Sequence, residues 1–111
     1  MPVYNKLVRD RIPTIIQSNG KTCNTRILDV EVYKEELVKK LKEESEEYYA
    51  TEHPKDSLEE LADMVEVIRA LVEVHGASWE QFEELRKQKE EARGGFQDRV
   101  FLIDVDDNKE I

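Results

Sequence analysis

Two pairs of acidic residues have the types and the spacing of a metal-binding site. Glu44 and Glu47 are three residues apart, and Glu60 and Asp63 repeat that spacing after twelve intervening residues. Side chains three apart lie on the same side of an α-helix, so each pair would present two carboxylates in one direction. Carboxylate oxygens are the hard ligands that suit Mg²⁺ and Mn²⁺. The pattern therefore predicts a divalent-cation site built by two helices.

The positions of these acids around their helices indicate an inward-facing site. Successive residues turn by about 100° around a helix axis. On this geometry Glu44 falls in the middle of an apolar stripe and Glu47 on its edge. In the next helix Glu60 falls inside a wide apolar arc and Asp63 at its margin. Because burying an unpaired carboxylate is costly, acids on such faces point to a ligand.

Two structural alternatives remain open from the residues alone. Glu60 follows Ser57 by three residues, which is the spacing of a capping box at a helix start. The chain also has 26 acidic residues, so this spacing is expected by chance, and Glu43 and Glu46 match it equally well.

The elements that would position these acids are helices. The central part of the chain lacks internal Gly and Pro and is rich in good helix formers. We expect an all-α fold, a helix bundle whose three principal helices cover about 30–53, 57–75 and 78–93. Asp56 or Ser57 would cap the second helix, Gly76 would end it, and Ser78 would cap the third.

Shorter segments flank these helices. Thr14–Gln17 is expected to form one or two helical turns, and Thr25–Val30 a short strand or an extended lead-in. Val100–Ile103 is a second strand-like run, so both ends of the chain would carry short extended segments. With 111 residues, the chain is expected to be a single helical domain, 1–111.

Composition narrows the function classes. The chain has 17 basic and 26 acidic residues, a net charge of −9 and a pI near 4.8. Nucleic-acid polymers are therefore not expected as partners, since their binders carry basic patches. No apolar run is long enough to span a membrane, and no secretory signal is visible. Cys23 is the one cysteine, which excludes an intrachain disulfide and favours a reduced, cytoplasmic setting.

The apolar arc of the second helix is wider than half its circumference. Two neighbouring helices of one subunit would not cover it, so we expect an isologous homodimer.

Basic residues form two candidate phosphate contacts. Lys6 and Arg9 belong to a cationic cluster near the N-terminus. Ion pairing with the acidic helices is the competing account. Lys89 and Arg93 continue an apolar stripe of the third helix, just before Gly94-Gly95. Their alternative role is to stabilise the negative end of the helix dipole.

Three separated motifs resemble one enzyme family. The motifs are the acidic pairs Glu44-x-x-Glu47 and Glu60-x-x-Asp63, the opening Tyr4–Pro13 and the ending Glu90–Phe96. They are similar to motifs of the MazG-type nucleotide pyrophosphohydrolases, a family to which phosphoribosyl-ATP pyrophosphohydrolase is related. The resemblance covers nearly the whole chain. Because it includes the opening segment, the resemblance implies substrate contact by Lys6 and Arg9, with Asn5 or Asp10 as a partner of the base or ribose.

The resemblance implies a function. Such an enzyme uses Mg²⁺ to cleave the α–β phosphoanhydride of a nucleoside triphosphate or a similar nucleotide and releases pyrophosphate. It implies metal ligands at Glu44, Glu47, Glu60 and Asp63, catalysis by the first pair, and a helix bundle that forms dimers or tetramers. Members act in histidine biosynthesis or remove non-standard nucleotides, and the motifs do not choose between these substrates.

One further residue could take part in catalysis. Glu43 adjoins the first ligand pair and could orient a water molecule, or it could be an exposed helix glutamate. A different class of function also stays open: a non-catalytic acidic helical module for oligomerisation or regulation.

Overall fold

The computed structural model describes residues 2–106, and these form four α-helices and no strand. The helices are α1 (Ile12–Ser18), α2 (Val30–Tyr49), α3 (Pro54–Val74) and α4 (Trp79–Arg93). The all-α prediction is confirmed over this range. Thr25–Val30, expected to be a short strand or an extended lead-in, forms no strand: residues 25–29 lead into α2, and Asp29 has extended backbone with φ −70° and ψ 167°. Val100–Ile103, predicted to be strand-like, is irregular, and its apolar side chains are exposed.

The helix α2 begins where the sequence predicts and ends earlier. Asp29 is its N-cap, and Asp29 Oδ1 accepts a hydrogen bond from Val32 N at 2.9 Å. The predicted end at residue 53 is wrong, because the last helical residue is Tyr49. Pro54 explains part of the difference, since a proline disfavours helical backbone at the residue before it. His53 is accordingly extended, with φ −104° and ψ 139°.

The helix α3 begins three residues before the predicted start at 57. Pro54 occupies its first turn, where a fixed φ and a missing N–H are no disadvantage. The N-cap is His53, without a side-chain cap hydrogen bond, so the predicted caps Asp56 and Ser57 are wrong. Because Ser57 lies inside the helix, a capping box with Glu60 is excluded. That alternative explanation of Glu60 is therefore removed.

The short connection between α2 and α3 is held by hydroxyl groups. Four residues, 50–53, join the two helices, which pack against each other as an antiparallel pair. Thr51 Oγ1 is 2.7 Å from both Tyr48 O and Ser57 Oγ. The contact links the end of α2 to the first turn of α3. It therefore helps to fix which residues of the two helices face each other.

The described residues fall into two compact units, divided between Trp79 and Glu80. The first contains α1 to α3, and its buried apolar side chains are Leu37, Val67 and Val72. Within it, the Arg69 guanidinium lies over the Trp79 ring at 4.5 Å. The second contains most of α4, which starts at Trp79 rather than Ser78 and ends before Gly94, where φ is +82°. No described helix is both long and apolar enough to cross a membrane.

Removing the Thr51 hydroxyl should weaken the α2–α3 connection. Thr51→Val keeps the shape of the side chain and loses its hydrogen bonds, so the free energy of unfolding should fall by about 1 kcal/mol. Urea denaturation measures this change. Thr25→Val, at an exposed position outside the helices, is the matched control. Equal stability of both variants would show that the hydroxyl contact does not hold the connection.

Candidate metal centre

Glu44 is the most buried acidic residue of the described chain. Its side chain lies on the face of α2 that packs against α3, and the residue is 7% exposed. This confirms the inward position expected from helix geometry. Glu43, Glu60 and Asp63 are half-buried, whereas Glu47 is exposed at the edge of the cluster.

The five acids form two overlapping groups that share Glu44. Carboxylate oxygens of Glu43, Glu44 and Glu47 lie within 4.8 Å of one another, and so do those of Glu44, Glu60 and Asp63. Oxygens on opposite sides of one bound cation are about 4–5 Å apart. The structure thus brings all four predicted ligands and Glu43 together at one place between α2 and α3.

Two carboxylate oxygens in this cluster have no hydrogen-bond partner. Glu44 Oε2 and Glu60 Oε2 are buried, and no described group bonds to either. Buried polar atoms in proteins almost always have a partner, so unpaired ones need an explanation. A hard divalent cation supplies one, because oxygens are the ligands it prefers. The donor set therefore fits Mg²⁺ or Mn²⁺.

Crowding and burial change the acidity of the cluster. Burial raises the pKa of Glu44 to about 7, and the close carboxylates of Glu60 and Glu47 add to the shift. Burial also raises the pKa of Glu60, and the neighbouring charges of Glu47 and Asp63 add to the effect. Both shifts disfavour the charged carboxylate, which is the form that binds a cation.

Three cations offset part of this charge. Lys40 Nζ is 3.7 Å from Glu43 Oε2 and 3.7 Å from Glu44 Oε1. Lys6 Nζ is 3.4 Å from Glu43 Oε1, and Arg9 Nη2 is 2.5 Å from Asp63 Oδ1. When all five carboxylates are ionised, three cations leave two negative charges uncompensated. One divalent cation would neutralise the remainder.

The ion pairs of Lys6 and Arg9 match the alternative stated for these residues, which was pairing with the acidic helices. Lys6 contacts Glu43, the residue predicted to orient water, and Arg9 contacts Asp63, a predicted metal ligand. The N-terminal segment therefore contacts the cluster on both helices. Substrate contact by Lys6 and Arg9 stays a prediction. Lys40 was not singled out from the sequence, although its spacing of three and four residues from Glu43 and Glu44 was a usable signal.

The other predicted phosphate contacts belong to the second unit. Lys89 and Arg93 are exposed on α4, and Arg93 lies in its last turn, as the helix-dipole alternative requires. Arg86, on the same face, has its Nε 2.8 Å from Glu83 Oε1. The roles predicted for Lys89 and Arg93 stay predictions.

Comparison with known proteins gives no relative: no family model, no curated protein and no solved structure matches the chain.

The Glu44 carboxylate should make the metal-free protein less stable as the pH rises. A raised pKa means that the folded state binds more protons than the unfolded state between pH 4.5 and about 7. The free energy of unfolding should therefore fall across this window, by up to about 3 kcal/mol. Glu44→Gln should remove most of this fall and exceed the wild type in stability at pH 8.

Urea denaturation with a chelator present, at pH 5 to 8, measures this effect. Glu46→Gln is the matched control, because Glu46 is exposed on the same helix and should leave the wild-type pH dependence unchanged. If Glu44→Gln lost as much stability between pH 5 and 8 as the wild type, the raised pKa of Glu44 would be wrong.

Proposed function

We propose that this chain is a Mg²⁺-dependent nucleotide pyrophosphohydrolase. It cleaves the α–β phosphoanhydride of a nucleoside triphosphate, or of a related nucleotide such as phosphoribosyl-ATP, and releases pyrophosphate. The observation that carries the proposal is the pair of buried, unpartnered oxygens on Glu44 and Glu60, inside a cluster of five carboxylates. The motif resemblance agrees with it. A single free cysteine, Cys23, agrees with action in the cytoplasm.

The proposed metal ligands are Glu44, Glu47, Glu60 and Asp63. Bound there, Mg²⁺ (or Mn²⁺) would neutralise phosphate oxygens and lower the pKa of a bound water. The chain itself holds the carboxylates in position before substrate arrives, because two packed helices fix them. Such preorganisation is a large part of catalysis at phosphate groups.

We propose that Glu43 orients the attacking water. Its carboxylate lies beside the ligand pair and is held by Lys6 and Lys40. A group fixed from two sides can accept a hydrogen bond from water in one direction, which is what a positioned nucleophile requires.

Lys6 and Arg9 are suited to contact a phosphate group of the nucleotide while they keep their carboxylate partners, because an ammonium group has three N–H donors and a guanidinium group has five. Both are cations at the edge of the cluster, paired with Glu43 and Asp63. Phosphate groups are equally good partners for ammonium and guanidinium groups. Lys89 and Arg93 are proposed as additional phosphate contacts on the evidence of the sequence.

Removing a metal ligand should abolish catalysis without unfolding the protein. Glu44→Gln and Asp63→Asn are nearly isosteric and each remove one anionic ligand, so Mg²⁺-dependent pyrophosphate release should fall by about 100-fold or more. The measurement is pyrophosphate release from a panel of nucleoside triphosphates and phosphoribosyl-ATP. Circular dichroism reports whether the helices persist.

Exposed acids on the same two helices provide the controls. Glu46→Gln and Glu59→Gln make the same chemical change outside the cluster and should keep full activity. Full activity of Glu44→Gln or Asp63→Asn would contradict the site. Absence of pyrophosphate release from every nucleotide in the wild type would instead favour the non-catalytic helical module.

We further propose that the protein is a homodimer, or a tetramer built from such dimers. On α3 the side that faces α2 carries Glu60, Asp63 and Val67. Roughly opposite, Leu58, Leu61 and Val65 form a second apolar stripe that is 67%, 40% and 44% exposed. Only Leu37, Val67 and Val72 are buried apolar side chains among residues 2–106, a small core for a helix pair. A second copy packed on the stripe would enlarge that core.

A charge in the exposed stripe should break this dimer. Leu61→Lys would bury an unpaired ammonium group in the interface, at a cost large enough to favour monomers at micromolar concentration. Sedimentation velocity measures the change. The matched control is Ile27→Lys, at a position 96% exposed and outside the helices, which should sediment as the wild type does. Identical sedimentation of Leu61→Lys and the wild type would place any interface elsewhere.

A further inference from the structure

A groove runs from the acidic cluster along the interface of α2 and α3. Its volume is about 210 Å³. At one end it is lined by Glu44 and Asp63. Residues 7–10 of the N-terminal segment form a third wall, and the pairing of Arg9 with Asp63 holds that wall in place. The groove is therefore continuous with the proposed metal centre.

The middle of the groove has apolar side chains on its walls, and the charged side chains of Lys40 and Glu66 also line the groove. Leu37 of α2 and Val67 of α3 form two sides, and Leu7 and Val8 form the third. Cavities that enclose a whole drug-sized ligand measure about 300–1,000 Å³. A groove of 210 Å³ is smaller, so it suits one ring system rather than a complete nucleotide. Apolar walls of this kind contact the two faces of a planar ring.

The end of the groove away from the cluster carries two polar side chains. Tyr33 precedes Glu44 by eleven residues, which separates them by about 16 Å along α2. Tyr33, Ala70 and Asp10 line this end. Asp10 lies in a turn that is closed by a hydrogen bond from Ile12 N to Arg9 O at 3.0 Å. Burial, followed by the charge of Asp10, raises the pKa of Tyr33, so its hydroxyl stays a donor at neutral pH.

We propose that this groove binds the nucleobase of the substrate, and that Asp10 and Tyr33 select bases that carry an exocyclic amino group. The inference rests on the proposed function, because it places the phosphates at the acidic cluster. An ionised carboxylate accepts hydrogen bonds only. An amino group with a free N–H beside a ring acceptor matches Asp10 and the Tyr33 hydroxyl, whereas a keto group would face the carboxylate with another acceptor.

Isothermal titration calorimetry with nucleoside 5′-monophosphates and Mg²⁺ tests the inference. Two pairs of nucleotides differ in the exocyclic amino group: cytidine against uridine monophosphate, and adenosine against inosine monophosphate. The amino member of each pair should bind about tenfold more tightly, as expected for a hydrogen bond to a charged group. Asp10→Asn, which has a donor as well as an acceptor, should bring both ratios close to one. Tyr33→Phe should weaken binding of the amino members about threefold to tenfold.

Binding of Mg²⁺ with pyrophosphate provides the second readout, and both variants should leave it unchanged. Asp56→Asn and Tyr49→Phe make the same chemical changes at exposed positions outside the groove and should bind as the wild type does. Equal affinities within each pair in the wild type, or an equal loss of pyrophosphate binding in the variants, would overturn the inference.

The two proposals can fail separately. Amino-selective binding without pyrophosphate release from any nucleoside triphosphate would leave the groove assignment standing and remove the proposed function. Pyrophosphate release with the same kcat/KM for cytidine and uridine triphosphates would keep the function and remove the groove assignment.

Discussion

The burial of one carboxylate is the main unfavourable feature of the interface between α2 and α3. Glu44 lies between two packed helices, where an isolated charge would be strongly unfavourable. The chain compensates only in part: Lys40 contacts one of its oxygens at 3.7 Å, and the other has no partner. The neighbouring acids raise its pKa further instead of relieving it. A core residue chosen for stability would be apolar at this position, so the carboxylate is better explained by what it can bind.

The register of the helix pair decides which groups surround Glu44. A four-residue connection makes α2 and α3 antiparallel, and the Thr51 contact joins their adjoining ends. Glu44 then meets Glu60 and Asp63 about one to three turns from this connection. Further along the same interface Leu37 and Val67 are buried, and the groove ends at Tyr33. The acidic cluster and the groove are therefore consecutive parts of one helix–helix interface.

Residues close in sequence were predicted better than residues far apart. The inward direction of Glu44 followed from helix geometry, because the rotation per residue is the same in every α-helix. The start of α3 was predicted wrongly. Ser57 has the better capping side chain, but the helix begins at Pro54, whose fixed backbone is suited to the first helical turn. The partners of Lys6 and Arg9 lie 37 and 54 residues away, so the sequence suggested ion pairing without identifying Glu43 and Asp63. The groove was missed for the same reason.

A net charge of −9 and a phosphate substrate are compatible because the charge is unevenly compensated. Near Glu44, cations from the N-terminal segment and from α2 balance three of five carboxylates, and the remaining charge equals that of one divalent cation. An anionic substrate would then meet an acidic cluster that is neutral once a cation is bound. The same N-terminal segment that supplies Lys6 and Arg9 also forms a wall of the groove. Charge balance at the cluster and the shape of the groove thus depend on one short stretch of chain, which would link the proposed metal binding to the proposed recognition of the base.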